Sequence, residues 1–184
     1  MYDDTTDRSA FWFALAVKPR FDRAVVRTLE SQGYETFLPQ YRRRPHHGMP
    51  SQDPELALFP GYVLCRFEAR SRSSVLLTPG VTRILGDGQT LAPLANDEVA
   101  SLQTAIRAGL SLEPFPFVRT GERLRIERGA LAGIEGIVMR SRAKLRLVLS
   151  ITALQKSALL EVACDEFALA DLPVAKPFDL AKGA

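Results

Sequence analysis

The chain has 184 residues, 46% of them apolar, and 24 basic against 21 acidic side chains leave a net charge of +3. That length fits one large domain or two small ones, and no apolar run approaches the roughly 18 residues of a membrane span. The mild basic excess permits nucleic-acid contact without making a polycation, and the acidic, polar opening MYDDTTDRSA is unlike a secretory leader, so a cytoplasmic protein is expected.

In chain order, residues 1–10 form a polar tail and residues 11–17, FWFALAV, an aromatic first strand closed by Lys18-Pro19. Phe21, Val25 and Leu29 recur every four residues, which predicts a helix over 21–32 ended by Gly33. A second strand is expected over 36–41. The following segment, RRRPHHGMPSQDP from Arg42 to Pro54, has the composition of a loop. Residues 58–67 alternate around a Pro60-Gly61 break as a central strand, and a shorter strand fits 81–85. A second helix fits 97–108, with Asn96 as N-cap, Asp97 and Glu98 at its positive end, Arg107 at its negative end and Gly109 beyond. Val99, Leu102 and Ile106 would form its buried stripe.

Residues 11–109 thus compose an α+β unit, an antiparallel sheet flanked by helices. Residues 110–117, LSLEPFPF, have two prolines and no period, and serve as linker. From 118 to 172 only strand signals occur, with Gly121, Gly129, Gly133 and Gly136 supplying the bends of a small β-barrel. The stretch 153–161 tolerates a helix, but glycine costs a helix about 1 kcal/mol at each position, so the barrel is expected. Residues 173–184 are a tail.

Cys65 and Cys164 lie in apolar strand-like segments and are expected to be buried free thiols. His46 and His47 are adjacent in a loop, where neighbouring side chains diverge, and no ligand set lies at metal spacing. No nucleophile–base–acid set or phosphate loop is visible, so neither an enzyme nor a cofactor is expected. The run from Arg140 to Arg146 alternates charge with small or apolar residues, as a solvated hairpin edge does.

The segment VRTGERLRIERGALAGIEGIV, residues 118–138, resembles the KOW motif. It follows a unit carrying Leu58-Phe59-Pro60-Gly61-Tyr62-Val63 and Thr78-Pro79-Gly80-Val81, and the two together resemble the NusG/Spt5 family of transcription factors. Val17-Lys18-Pro19-Arg20, Phe37-Leu38-Pro39 and the basic loop resemble its specialised RfaH-like and UpxY-like paralogues. The resemblance implies an NGN domain followed by an SH3-like KOW barrel, in a monomeric elongation factor acting on transcription antitermination, pausing or termination.

It further implies that an apolar hollow grips the clamp helices of the largest RNA polymerase subunit. Trp12, Phe13, Leu58, Phe59, Pro60, Tyr62 and Ile84 occupy the matching positions, with Phe59 and Tyr62 the stronger interface candidates and Trp12 the core member. Ser73 and Ser74 fall where the family contacts the gate loop of the second-largest subunit, although the family's His and threonines are missing and a solvated turn explains the segment equally well. Lys18, Arg20, Arg23, Arg42, Arg43 and Arg44 would face the non-template DNA strand, since cations track phosphates. Leu131, Ile151, Leu154 and Lys156 would form the barrel patch that recruits a small-subunit ribosomal protein or Rho, or that packs on the first unit and masks its hollow. A ribosome-associated KOW protein that binds RNA is the alternative.

Overall fold

The computed structural model describes residues 9–42, 55–87, 89–118, 121, 123–126, 129, 131–141, 144–162 and 169–171. Its first unit runs β1 (Phe11–Val17), α1 (Asp22–Ser31), β2 (Glu35–Phe37), β3 (Gln40–Tyr41), β4 (Leu56–Ala57), β5 (Tyr62–Phe67), α2 (Arg72–Leu76), β6 (Val81–Ile84) and α3 (Asn96–Arg107). Four strands form an antiparallel sheet in the order β2-β5-β1-β6, while β3 and β4 pair separately.

Three local differences from the expected elements have simple causes. The strand expected over 36–41 is broken in two at Leu38-Pro39, where proline offers no N–H to a ladder. The strand expected over 58–67 begins only at Tyr62, because Gly61 (φ +82°) closes a turn in which Tyr62 N–H donates to the Phe59 carbonyl. Helix α3 starts at Asn96 with Ala95 as its cap, so the Asn96 side chain does not cap the helix.

Alternation along β1 sends neighbouring residues to opposite sides of the sheet. Phe13, Leu15 and Val17 join Val63, Cys65, Phe67 and Ile84 against Val25 and Leu29 of α1 and Val75 of α2. The Phe13 and Phe67 rings lie 4.6 Å apart there. Trp12, Ala14 and Leu64 face the other way, against Val99, Leu102 and Ala105 of α3.

The second unit contains β7 (Leu112–Phe115), β8 (Arg123–Ile126), β9 (Glu135–Ser141), β10 (Lys144–Ile151), β11 (Lys156–Val162) and β12 (Leu169–Asp171). They form one antiparallel sheet in the order β12-β8-β9-β10-β11-β7. The segment expected as linker therefore contains a strand: Leu112 to Phe115 pair with Leu160 to Ser157, and Leu112 is 2% exposed. The chain enters the second sheet before its glycine-rich hairpins begin. Helix α3 packs on β9 and β10 as well as on β1, and its apolar stripe is shared by both sheets.

Candidate functional site: an apolar face shared by two sheets and a basic edge

The residues matched to the polymerase-gripping hollow are divided by the first sheet. Phe13 and Ile84 are 3% and 8% exposed on the α1 side. Leu58 and Phe59 are 2% exposed on the α3 side, where half-buried Tyr62 packs beside them. Pro60, at the turn between these segments, is exposed. Strand alternation separates Phe13 from Trp12 although they adjoin in sequence. Phe59 and Tyr62 thus share a face with Trp12, not with Phe13.

That face continues into the second sheet. Leu131, Ile151 and Leu154, expected either as an exposed patch or as packing on the first unit, lie in the same buried cluster as Leu58, Phe59 and Val99, and Lys156 alone of that group is exposed. The physical reason is α3, which offers apolar side chains to both sheets. Polar groups fix its seat. The Glu98 carboxylate accepts hydrogen bonds from the Thr152 backbone N–H (3.1 Å) and hydroxyl. Ser101 Oγ accepts from the Glu135 N–H at 3.1 Å. Glu135 in turn pairs with Arg125 at 3.4 Å. A cavity of about 30 Å³ remains among Glu98, Ser101, Gly136 and Ser150.

The expected nucleic-acid residues fall into two groups. Arg42 pairs with the Glu55 carboxylate (3.7 Å), and Arg23 donates to the Glu55 carbonyl (3.4 Å), so both converge where the chain leaves and re-enters around residues 43–54. Arg43, Arg44 and the histidine pair lie outside the described residues. Lys18 and Arg20 are exposed in the turn between β1 and α1. Two further arginines were not singled out from the sequence. Arg27 joins Arg23, Val26, Phe37 and Leu38 around an open groove of about 620 Å³ beside α1, and Arg83 is exposed on the edge strand β6. Helical spacing of four between Arg23 and Arg27 marked the first, whereas Arg83 carries no local signal.

Ser73 and Ser74 are exposed on α2, a short helix where a turn was expected, and Leu77 just beyond it is 82% exposed. Cys65 is fully buried, and burial with nearby Glu35 pushes its thiol up to about 12, which makes it unreactive at neutral pH. Cys164 lies outside the described residues. Among the described residues no helix is long and apolar enough to cross a membrane, and no cluster of His, Cys, Asp and Glu could hold a metal ion.

Residues 10–103 match the family described as NusG, transcription termination factor nusG. No curated protein matches the chain. Among solved structures, one titled "Domain interaction in Thermotoga maritima NusG" is 15% identical with a TM-score of 0.46, covering 89% of this chain and 98% of its own. Another, titled "Crystal Structure of MjSpt4:Spt5 complex conformation B", is 15% identical with a TM-score of 0.29, covering 88% of this chain and 97% of its own.

Proposed function

Because the chain belongs to the NusG family of transcription factors, we propose that it is a bacterial elongation factor that binds RNA polymerase and regulates pausing or termination by binding, without catalysis. Its first unit, an NGN domain, grips the clamp helices through the α3-side face: Leu58, Phe59, Pro60 and Tyr62. Ser73 and Ser74, with exposed Leu77 beside them, make a second polymerase contact at the gate loop. Lys18, Arg20, Arg23 and Arg42 face the non-template strand, and Arg43 and Arg44 would extend that row. The second unit is a KOW barrel in which β12 returns to pair with β8, and its patch of Leu131, Ile151, Leu154 and Lys156 recruits a ribosomal protein or Rho.

One observation carries this reading furthest. Leu58 and Phe59 belong to the same buried cluster as Leu131, Ile151 and Leu154. Both proposed surfaces are therefore withdrawn from solvent together, which supports a closed form that opens around α3 when polymerase binds. A desolvated aromatic anchor contributes a large share of interface energy, so exposing Phe59 to a new partner is the productive event.

Co-purification with core RNA polymerase tests this. Wild-type protein should retain polymerase, and Tyr62→Ala, a half-buried position, should retain clearly less while keeping its circular dichroism spectrum. The pair Glu98→Ala/Thr152→Val, which removes the hydrogen bonds at the seat of α3, should retain more. If neither wild type nor the opened variant holds polymerase, the elongation-factor reading fails and the RNA-binding alternative takes its place.

A further inference from the structure

The groove beside α1 belongs to neither proposed polymerase contact. Its helical wall is the stripe Arg23, Val26, Arg27 and Glu30, whose spacing of three and four puts them on one face of α1. Its other wall is Thr36, Phe37, Leu38 and Gln40, which follow one another along β2, the break at Pro39 and β3. Because β2 is an outer strand of its sheet, the groove follows a sheet edge and opens to solvent. The break gives it a second bay. Phe37, Leu38 and Gln40 also line a hollow of about 470 Å³ that reaches Ile106 and Leu110 at the end of α3. Val26, Phe37, Leu38, Ile106 and Leu110 are all half-buried, so each still offers apolar surface to an occupant.

The charges on these walls leave positive charge over. Glu30 accepts a hydrogen bond from the Thr36 hydroxyl at 2.8 Å, and Glu55 in the second bay pairs with Arg42 at 3.7 Å. Arg23 donates to the Glu55 backbone carbonyl at 3.4 Å, a neutral acceptor that leaves its charge uncompensated. Arg27 makes no hydrogen bond or ion pair among the described residues. Both guanidinium-bearing side chains are exposed and stand four residues apart on α1. Like charges at that spacing disfavour a helix, and an anion held between them removes the penalty.

We infer that this groove binds an extended acidic peptide of a partner protein. A carboxylate of the peptide sits between Arg23 and Arg27, and its apolar side chains rest on Val26, Phe37 and Leu38 and in the bay beside Ile106 and Leu110. Guanidinium groups match carboxylates with paired, charge-assisted hydrogen bonds. Val26 and Leu38 give stacked bases no platform, so this floor fits a peptide better than a nucleic-acid strand. Arg23 is shared with the proposed nucleic-acid row, whereas Arg27 and the apolar wall are not. The inference does not depend on the polymerase reading.

Fluorescence anisotropy with the full chain tests it, using a capped, labelled peptide of sequence EELEEL. Wild type should bind this peptide, and more weakly as salt rises. The peptides QQLQQL, without the charges, and EESEES, without the apolar anchors, should each bind about tenfold more weakly. Arg27→Ala should weaken EELEEL about threefold and Arg27→Glu about tenfold, both with the circular dichroism spectrum of wild type. Amide NMR shifts on adding EELEEL should fall on Val26, Arg27, Phe37 and Gln40. A labelled oligothymidine should bind Arg27→Ala as it binds wild type. Failure of wild type to bind EELEEL, equal binding of EELEEL and QQLQQL, or undiminished binding by both folded Arg27 variants overturns the inference. Loss of the oligothymidine by Arg27→Ala with the peptide retained also overturns it, and assigns the groove to nucleic acid.

Discussion

Cys65 illustrates how far burial alone sets a residue's chemistry. It lies mid-strand between Leu64 and Arg66, opposite Phe13, with no solvent exposure. Desolvation and the nearby Glu35 carboxylate hold its folded thiol near 12, well above the ordinary range of a cysteine thiol. Folding therefore favours the neutral thiol. Its contribution to stability is fully present below about pH 9 and is lost as pH rises from there to about 12. Urea unfolding at pH 7.5 and pH 10.5 should show that Cys65→Ala loses less stability with rising pH than wild type does. An aromatic disulfide reagent should leave Cys65 unlabelled in the native state at neutral pH. Rapid native labelling at this position would contradict the burial. The composition of the segment made the buried thiol legible. The division of Phe13 from Phe59 was not, because only the pleat and the turn at Gly61 decide which face each ring meets.

Among the elements, strand β9 has little room at its glycine. A Cβ at Gly136 would sit 3.0 Å from Leu149 Cδ2 and 3.0 Å from the Val148 carbonyl oxygen. The neighbouring backbone leaves little room, so Gly136→Ala should destabilise the protein by about 1–3 kcal/mol. A chemical denaturation midpoint equal to wild type would show that β10 can move aside. The glycine was visible in the sequence as a hairpin residue, but its role is close approach within the sheet, not a turn, and its φ is not in the left-handed region. Helices α1 and α3 were legible because apolar residues recur at helical spacing. Helix α2 was not, since five residues with one buried side chain, Val75, carry almost no periodicity. Strand β7 escaped for a related reason: with Pro114 in its middle it reads as a breaker, and only the unpaired edge of β11 gives it a ladder to join.

At the scale of the molecule, α3 makes two sheets into one cooperative body. Its stripe of Val99, Leu102 and Ala105 is fully buried between them, and Trp12, the single tryptophan, lies in the same cluster. Leu102→Ala should cost about 2–5 kcal/mol. It should shift the Trp12 fluorescence transition and the far-ultraviolet circular dichroism transition together in urea. Two separated transitions would mean that the second sheet unfolds independently of α3. The sequence by itself determined the order of the two units, helices α1 and α3 and the kinship carried by FPGY and TPGV, because periodicity and turn chemistry are local. Only the tertiary structure decided that Leu131, Ile151 and Leu154 share a core with Phe59, that the linker becomes a strand, and that Arg83 stands opposite Ala16. Burial, edge pairing and cross-strand register depend on residues far apart along the chain, and no window of sequence contains both partners.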